Sequence, residues 1–309
     1  MIKFLLNKIQ PSPTKTFNGE MQQLYNLIEK EKKKTDGIIE DLRKKNANSS
    51  EIIELLQSEK NILAKLLEVQ QAELEKVNEI LSKTQETLSK TNEVIWGQIF
   101  NNTITDSSWL ANQTFSPGRW AAGYQFLYVL YRALNEARPK KILELGLGQT
   151  TRMISQYAAA NSLVSHKVVE HDAEWAMFFK QDFTLSPQTE LIQLPLVKRS
   201  YQGDKLYAYK NFKNTFPNDK FDLISIDGPF GFLSKEYARM DILELLPDCL
   251  EKSFIIMIDD YERNGEQNTI KHIRKVLDKA SVPYAFGNYA GQKHTAIITS
   301  DDLKFLCSL

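Results

Sequence analysis

The 309-residue sequence has few of the features that assign a protein to a class at once. Its two cysteines, Cys249 and Cys307, are too few for a disulfide framework and favour a reducing compartment. Lys plus Arg and Asp plus Glu both number 39, so no positive surplus is available to bind nucleic acid through its phosphates. No apolar run is long enough to cross a bilayer. We expect a cytoplasmic protein that does not bind nucleic acid.

The N-terminus, MIKFLLNKI, lacks the features of a signal peptide. Its apolar core is too short, and no small-residue cleavage site follows it. We expect residues 1–19 to form a flexible segment. Contact between this segment and a membrane surface is an alternative, but a free or packed terminus is favoured.

Proline is absent between residues 20 and 95, and Gly37 is the one glycine in that region. The region is rich in Glu, Lys, Gln and Leu. From Ile53 to Ile95, steps of three and four residues alternate, which is the 3.5-residue repeat of a coiled-coil seam. The seam positions are Ile53, Leu56, Lys60, Leu63, Leu67, Gln70, Leu74, Val77, Leu81, Thr84, Leu88, Thr91 and Ile95.

A lone helix with this stripe would expose its leucines to water, so we expect residues 20–96 to join two or three copies of the chain. The alternative is a helix that folds back on its own domain. Polar residues in the seam, such as Lys60 and Gln70, would weaken the association and fix its register. The stretch Asn46-Ala-Asn-Ser-Ser predicts a break between a weaker helix at 20–45 and a helix that starts at Ser49 or Ser50.

Residues 97–309 have a different texture, and we expect them to form one α/β domain. From residue 138, short apolar runs alternate with helical stretches, which predicts a parallel sheet flanked by helices. The expected strands are 141–145, 166–170, 190–194, 221–227, 253–259, 283–289 and 294–299, and the expected helices lie near 150–160, 173–183, 235–247 and 266–280. The short turn Ala290-Gly-Gln predicts that the last two strands form an antiparallel hairpin. A further helix after Pro117 should cover one edge of the sheet.

The sequence KKILELGLGQTTRMISQYA predicts a strand, a glycine turn and the start of a helix. Gly146 and Gly148 allow the backbone to approach a ligand closely. The turn is not a P-loop, because no Gly-Lys-Ser/Thr follows, and Thr151 replaces the last glycine of a dinucleotide fingerprint. The next strand ends in Glu170, where an acid can accept hydrogen bonds from ribose hydroxyls. Ligands of open α/β sheets bind where the carboxyl ends of neighbouring strands converge.

Two later strands end in aspartates. The apolar run 254–258 stops at Asp259 and Asp260, and the segment KFDLISIDG reaches Asp227. Adjacent carboxylates repel each other, and their burial costs free energy unless something positive lies between them. The sequence therefore raises the question of which cation accompanies these acids.

Together these motifs resemble those of class I S-adenosylmethionine-dependent methyltransferases over residues 117–300. The matching features are Glu144-Leu-Gly-Leu-Gly, Glu170, and the strand endings Ile-Asp-Gly and Ile-Asp-Asp. The resemblance implies a doubly wound, mostly parallel sheet of seven strands, here preceded by the coiled coil, and S-adenosylmethionine as cofactor. It implies that Glu170 binds ribose, that His171 touches adenine, and that the glycines leave space for the methionine portion. The cofactor-binding residues so implied are Glu144, Gly146, Gly148, Gln149, Thr150, Thr151, Glu170, His171 and Asp227.

In that fold the fourth and fifth strands are neighbours, so Asp227, Asp259 and Asp260 should converge. The arrangement resembles the cation-dependent O-methyltransferases of the catechol and macrolide-sugar types. The resemblance implies that the three acids hold a divalent cation that binds substrate oxygens, and oxygen ligands favour Mg²⁺ or Mn²⁺ over zinc. The alternative is that Asp259 and Asp260 cap the next helix or pair with Arg263.

Two residues are candidates for the base that removes the acceptor proton. Catechol-type enzymes use a lysine soon after the fourth strand, and Lys235 lies in that loop. His294 begins the last strand, and imidazole suits proton removal near neutral pH. Pro229 occupies the position at which macrolide-sugar enzymes carry a further acid, so that role does not transfer to this chain.

The stretch IDGPFGFLSKEYARMDIL resembles the pattern of plant glucuronoxylan methyltransferases, which implies a sugar or glycan acceptor. Aromatic residues that could stack on sugar rings are Trp109, Trp120, Tyr201, Tyr207 and Tyr209, although such residues are more often part of a core. We therefore expect methylation of a sugar or glycan hydroxyl, as in a surface polysaccharide. The alternatives are a small phenolic or natural-product acceptor, and a scaffold that binds the cofactor without turnover.

Overall fold

The computed structural model describes residues 13–45, 50–118, 120–231, 234 and 236–308, with side chains from residue 26 onward. The chain divides into two compact units, Met1–Glu86 and Thr87–Leu309. The second unit begins before residue 97, where the change in composition suggested a boundary. Within the described ranges, no helix combines the length and apolar character that a membrane span requires.

Two long helices precede the sheet. Helix α1 spans Pro13–Lys45 and helix α2 spans Ser50–Ile104. Helix α1 begins earlier than the expected residue 20, because proline is well suited to the first turn of a helix. Helix α2 starts at Ser50, one of the two residues that we expected. Residues 1–12 lie outside the described ranges, so their flexibility stays a prediction.

Within the first unit, α1 packs against α2. Ile28 and Ile39 of α1 are buried, as is Leu67 of the predicted seam on α2. Asp36 of α1 forms an ion pair with Lys60, the charged residue of the seam. The folding back of one helix onto the other therefore covers the first part of the seam. Of the later apolar seam positions, Leu74 and Leu81 are half-buried and Val77 is exposed, as are Leu88 and Ile95 of the part of α2 that belongs to the second unit.

The second unit is built on a seven-stranded sheet with a separate two-stranded sheet beside it. In chain order the strands are β1 (Lys141–Leu145), β2 (Ser165–Glu170), β3 (Thr189–Gln193), β4 (Leu196–Tyr201), β5 (Asp204–Tyr209), β6 (Phe221–Ile226), β7 (Leu250–Ile258), β8 (Tyr284–Ala290) and β9 (His294–Ser300). The large sheet has the order β3-β2-β1-β6-β7-β9-β8. Strands β1, β2, β3, β6 and β7 are parallel, and β9 is antiparallel to β7 and β8. The predicted mostly parallel, doubly wound sheet with a terminal hairpin is confirmed.

Helices cover both faces of this sheet. They are α3 (Tyr124–Arg132), α4 (Gln149–Ala160), α5 (Ala173–Asp182), α6 (Phe212–Thr215) and α7 (Asn264–Lys279). Alternate strand residues enter two cores: Ile142 and Met257 pack with α3 and α4, whereas Leu143 and Ile256 pack with α6 and α7. Burial on both faces explains why these strands are apolar without alternation.

Two local predictions were wrong, and one element was missed. The helix expected near 235–247 is a 3₁₀ turn at Met240–Glu244, because Arg239 adopts a left-handed φ of 56° that stops helix formation. The helix expected directly after Pro117 begins only at Tyr124. The β4–β5 hairpin was not predicted. Its two-residue turn has positive φ at both Gln202 and Gly203, a conformation that suits tight hairpins.

Candidate functional site

The candidate site lies where the chain order reverses in the middle of the sheet. Strand β1 lies between β2 and β6, and open α/β sheets bind ligands at this kind of switch point. A cavity of about 690 Å³ opens there, within the size range of small-molecule sites. Residues that line it include Trp120, Gly146, Gly148, Gln149, Glu170, His171, Trp175, Tyr209, Asp227, Phe230, Arg239, Asp260, Arg263 and Lys293.

Gly146 and Gly148 shape the loop after β1 in different ways. Gly146 has a φ of +103°, a region that favours glycine. A Cβ on Gly146 would lie 3.1 Å from backbone atoms of Asp227 and Gly228 at the end of β6. A Cβ on Gly148 would meet nothing within 4 Å. Gly146 therefore allows two strand ends to approach each other, and Gly148 leaves open space for a ligand.

Three residues that we expected at the cofactor lie behind this loop instead. Glu144 is buried and accepts a hydrogen bond from the Thr150 hydroxyl, and its Oε2 lies 3.0 Å from Nε2 of His166. The Thr151 hydroxyl accepts a hydrogen bond from the Gly148 N–H at 2.9 Å. Because their polar groups bond to the protein, Glu144, Thr150 and Thr151 support the loop and are not among the lining residues.

Glu170, the last residue of β2, lines the cavity beside the loop. Its Oε1 accepts from the N–H groups of His171 at 2.7 Å and Asp172 at 2.8 Å, and its Oε2 accepts from Leu147 N–H at 3.0 Å. Nδ1 of His171 also lies 2.8 Å from Oε1. Burial alone would raise the pKa of Glu170, but the hydrogen bonds, that from the His171 ring first, hold it below its ordinary value. The ionised carboxylate keeps acceptor capacity at Oε2 for one ribose hydroxyl.

Aromatic side chains form part of the cavity wall beside Glu170. The rings of His171 and Phe230 meet edge to face at 4.4 Å between centroids. Trp175 is 40% exposed, and its indole N–H donates to the backbone oxygen of Leu147 at 2.7 Å. Fixed aromatic rings at the edge of a cavity present apolar faces on which a flat ring can stack.

The aromatic residues predicted to stack on a sugar are divided between the cavity and other places. Trp120 and Tyr209 line the cavity. Trp109 stacks on Tyr131 at 5.1 Å against the core, and Tyr201 contacts Tyr237 at 4.9 Å. Tyr207, which lies under the Lys198 ammonium, is also outside the lining.

Asp227, Asp259 and Asp260, here called the acid trio, converge as expected. One oxygen of each lies within 4.8 Å of the others, because β6 and β7 are neighbours in the sheet. Asp259 is fully buried and Asp260 is 2% exposed. Such burial requires compensation by positive charge or by protons.

Arg239 supplies one positive charge to the acid trio. Its guanidinium is 3% exposed, and Nη2 lies 3.1 Å from Asp227 Oδ1 and 2.7 Å from Asp260 Oδ2. Nη1 donates to the backbone oxygen of Asp259 at 2.9 Å. Burial opposes the charge, yet the carboxylates, Asp227 first, raise the pKa of Arg239 above its ordinary value.

Lys293 supplies a second positive charge from the turn between β8 and β9. Its Nζ lies 3.0 Å from Asp259 Oδ2 and 3.1 Å from Asp260 Oδ1. Arg263 adds a third at 2.9 Å from Asp260 Oδ2, which confirms the predicted pairing. The predicted capping role of the aspartates is wrong, because α7 begins only at Asn264 and has no side-chain cap.

The acids of this region titrate differently from one another. Burial raises the pKa of Asp227 to about 6 and, with the charge of Asp227, raises that of Asp259 to about 8. For Asp260, the effect of burial is outweighed by the neighbouring cations, Arg239 first, and its pKa is lowered.

The charges of this region balance when one acid holds a proton. Glu266 lies 3.6 Å from Arg239, so four acids face three cations, and one bound proton neutralises the remaining negative charge. The charged cluster comprises Asp227, Asp259, Asp260, Glu266, Arg239, Arg263 and Lys293.

Of the two expected bases, only His294 belongs to the residues that the structure describes. The N–H of His294 donates to Glu262 Oε2 at 2.8 Å, and His294 is not among the lining residues. Its neighbour Lys293 lines the cavity instead, because successive residues at a strand end point to opposite sides. Lys235 lies outside the described residues.

Similarity to known proteins is confined to solved structures. No family model matches the sequence, and no curated protein matches it. The chain is similar to a protein assigned as an O-methyltransferase from Klebsiella pneumoniae, with 13% identity and a TM-score of 0.43 over 69% of this chain and 99% of the other. A protein assigned as a caffeoyl-CoA O-methyltransferase from Staphylococcus aureus has 14% identity and a TM-score of 0.38, with coverage of 72% and 98%. A spermidine synthase from Thermotoga maritima has 13% and 0.36, with 57% and 61%. Such distant likeness assigns no role to any residue here.

Sequence reasoning missed Arg239 and Lys293 as parts of the site, and it named Tyr209 only as one of several aromatic residues that could stack on a sugar. Arg239 could have been suspected, because a single arginine stands among apolar residues in Tyr-Ala-Arg-Met-Asp-Ile-Leu and such a charge needs a buried partner. Lys293 gives no such signal, since lysine is common in turns. Tyr209 is fully buried, and its hydroxyl has no hydrogen-bond partner in the described part of the chain.

Proposed function

We propose that the chain is an S-adenosylmethionine-dependent O-methyltransferase. The observation that carries the proposal is the pairing, in one cavity, of the ionised Glu170 at the end of β2 with Asp227 at the end of β6, on the two sides of β1 and its glycine loop. S-adenosylmethionine offers a ribose diol, which suits a carboxylate acceptor, and a positive sulfonium, which a nearby carboxylate stabilises. The cavity of about 690 Å³ has room for a nucleoside-sized ligand and part of an acceptor.

Asp227 is the residue to which we assign proton removal. It lines the cavity, and its pKa of about 6 leaves it ionised at neutral pH but still basic enough to accept a proton. As the bond between the acceptor oxygen and the methyl carbon forms, the bond from methyl to sulfur breaks and its electron pair neutralises the sulfonium. The hydroxyl proton passes to Asp227, and neutral S-adenosylhomocysteine leaves. This assignment replaces His294, which does not line the cavity, and Lys235 stays the alternative that the sequence predicts.

The divalent cation implied by the sequence resemblance does not fit the acid trio as it stands. The trio has suitable oxygen ligands, but Arg239 and Lys293 already lie within 2.7–3.1 Å of its carboxylates. Four acids and three cations also need one positive charge, and a divalent ion would add two. No step of the proposed reaction is therefore assigned to a metal.

For the acceptor, we propose a hydroxyl of a sugar or glycan. Trp120 is 83% exposed and Phe230 is 37% exposed at the cavity wall, so both present apolar faces on which a sugar ring can stack. A phenolic acceptor would use the same faces and is the alternative. A scaffold without turnover is less well supported, because it has no use for an acid of raised pKa in the lining of its cavity.

Transfer of labelled methyl groups from S-adenosylmethionine tests this function. We expect label in members of a panel of methyl glycosides and oligosaccharides, and a loss of about 10²-fold or more in the Asp227→Asn variant. Asp219→Asn is the matched control. Asp219 precedes β6, at the end of the strand that lies away from Asp227, and its carboxylate pairs with Lys167. Label in catechols alone would favour the phenolic alternative. Cofactor binding without transfer to either class would favour the scaffold.

We also propose that the helical unit joins copies of the chain. Besides the seam, α2 exposes Leu55, Ile62 and Val69, which lie seven residues apart and are at least half exposed. Sedimentation of the full chain should give a dimer or trimer, and Gln at these three positions should lower its mass to that of one chain. Leu163→Gln, a change at a residue 73% exposed on the second unit, is the control. A monomeric wild type would contradict the proposal.

A further inference from the structure

The acid trio has two positions that are shared between carboxylates, and a side chain of the protein fills each. Lys293 Nζ lies between Asp259 and Asp260, at 3.0 Å and 3.1 Å from their oxygens. Nη2 of Arg239 lies between Asp227 and Asp260, at 3.1 Å and 2.7 Å. A divalent cation lies about 2.0–2.6 Å from its oxygen ligands, so it could not share either position with the resident nitrogen.

The backbone around Lys293 is fixed by side chains from outside its hairpin. The Gln125 side-chain amide donates to the backbone oxygen of Lys293 at 2.9 Å. The Trp96 indole N–H donates to the backbone oxygen of Ala290, at the end of β8, at 2.8 Å. Because side chains of two separate helices bind the backbone of this turn, the fold fixes the point from which the Lys293 side chain reaches Asp259 and Asp260.

We propose that Lys293, together with Arg239, takes the place of a divalent cation in this site, and that the third N–H of Lys293 binds the acceptor oxygen. An ammonium group has three donors. Two of them point to Asp259 and Asp260, and Lys293 lines the cavity, which leaves the third for a ligand. The assignment of the ligand as the methyl acceptor rests on the proposed function, whereas the replacement of the cation does not.

Binding of Mn²⁺ to the full chain tests the replacement. Mn²⁺ is titrated, after chelator treatment, into the wild type, Lys293→Met and the double variant Lys293→Met/Asp259→Asn, with electron paramagnetic resonance as the readout. We expect no saturable site below the millimolar range in the wild type. Removal of the ammonium leaves two buried carboxylates without it, so Lys293→Met should bind Mn²⁺ on the order of tenfold more tightly or better. The double variant should lose that gain.

Thermal unfolding gives a second readout for the same variants. Mn²⁺ should raise the Tm of Lys293→Met and leave that of the wild type unchanged, since a ligand that binds only the folded state stabilises it. Wild-type Mn²⁺ binding in the micromolar range that Asp259→Asn abolishes would overturn the proposal. A folded Lys293→Met variant that gains neither binding nor stability would overturn it as well. If Lys293→Met does not fold, Lys293→Gln replaces it, with the same two readouts.

A titration of S-adenosylhomocysteine into the same wild-type sample separates this proposal from the proposed function. Absence of binding would contradict the methyltransferase assignment and leave the Mn²⁺ result intact. If S-adenosylhomocysteine binds and Mn²⁺ also binds tightly at Asp259, the function stands and the replacement of the cation fails.

Discussion

The two walls of the cavity are built in different ways. The wall formed by the loop after β1 and by Glu170 combines backbone groups with the aromatic rings of His171 and Trp175. Its buried carboxylate, Glu170, accepts hydrogen bonds from the N–H groups of His171, Asp172 and Leu147. The other wall is made of charged side chains from β6, β7, the segment around Arg239 and the β8–β9 turn. The first wall is therefore assembled within the segment from β1 to the start of α5, whereas the second requires segments from β6 to the β8–β9 turn to have folded together.

The difference has an energetic consequence. The hydrogen bonds that Glu170 accepts come from backbone N–H groups, which remain in place when the Glu170 side chain is changed. A change at Glu170 should therefore affect mainly ligand binding. A buried cluster of opposite charges is stable only when complete, because removal of one partner leaves the other charged and desolvated. Changes in the charged wall should therefore affect the stability of the whole domain, whereas changes in the loop wall should affect the cofactor.

The largest effect is expected for Arg239→Met. The variant leaves Asp227 and Asp260 without their shared cation in a site that is 3% exposed at the arginine, so the free energy of unfolding should fall by about 3–5 kcal/mol. Urea denaturation followed by circular dichroism measures it. Arg263→Met is the matched control: Arg263 pairs with the same Asp260 but is 39% exposed, and its loss should cost about 1 kcal/mol or less. Equal losses in the two variants would contradict the comparison.

A pH-dependent effect is expected next. The pKa of Asp259 rises from an ordinary value of 3.8 to about 8 on folding, so the folded carboxyl holds its proton more tightly than the unfolded one. Its contribution to stability is therefore complete below about pH 4 and is lost as the pH rises to about 8. The Tm of the wild type should fall over this range relative to that of Asp259→Asn, which cannot ionise.

Asp301→Asn is the control for this measurement, because Asp301 is 69% exposed and should not change the pH profile. A difference in Tm between wild type and Asp259→Asn that stays constant from pH 4 to pH 8 would show that Asp259 does not titrate as its environment requires.

A smaller effect is expected for Glu170→Gln in the loop wall. In the proposed site the Glu170 carboxylate accepts a hydrogen bond from a ribose hydroxyl, and a hydrogen bond to a charged group is worth about 1.5–3 kcal/mol. Loss of the charge should therefore raise the Kd for S-adenosylhomocysteine about tenfold or more. Titration calorimetry measures this change. Glu190→Gln, at an exposed position of the adjacent strand β3, should bind as the wild type does. Unchanged affinity in Glu170→Gln would remove this residue from the cofactor site.

The smallest effect is expected for Tyr209→Phe. The buried Tyr209 hydroxyl has no partner in the described residues, so its removal should leave the stability unchanged or increase it slightly. Tyr157→Phe is the contrast, because that hydroxyl donates to the backbone oxygen of Pro139 at 3.1 Å and its loss should cost about 1 kcal/mol. Because Tyr209 lines the cavity, its variant should bind ligand a few times more weakly. A stability loss equal to that of Tyr157→Phe would show that the hydroxyl is already satisfied.

The same comparison explains what the sequence could predict. The apolar runs predicted the strands because both faces of the sheet are buried, and parallel neighbours brought Asp227, Asp259 and Asp260 together as expected. The positions of the loop glycines and of Glu170 at the cavity could be predicted, because Gly146 follows β1 directly and Glu170 is the last residue of β2. The cations were not found: Arg239 is placed by a left-handed backbone turn and Lys293 by contacts from two helices, and neither feature follows a local pattern.

The sequence also indicated the wrong residue at one strand end, because the exact residue at which a strand begins does not follow from a local pattern. His294 was expected at the site because it begins β9, but Lys293, one residue earlier, has the side chain in the cavity. The alternation of side chains along a strand makes such an error decisive, since a shift of one residue moves a side chain to the other side. Glu144 was expected at the cofactor for a similar reason, but it points behind the loop toward His166.

Calorimetric titration of S-adenosylhomocysteine into the chelator-treated full chain tests the central claim most directly. We predict saturable binding of one ligand per chain without added metal. Gly148→Leu should bind much more weakly, because the leucine side chain would fill the open space over the loop. Ala159→Leu, at an exposed position near the end of helix α4, should bind as the wild type does. No binding by the wild type, or equal binding by Gly148→Leu, would contradict a cofactor site at the switch point of this sheet.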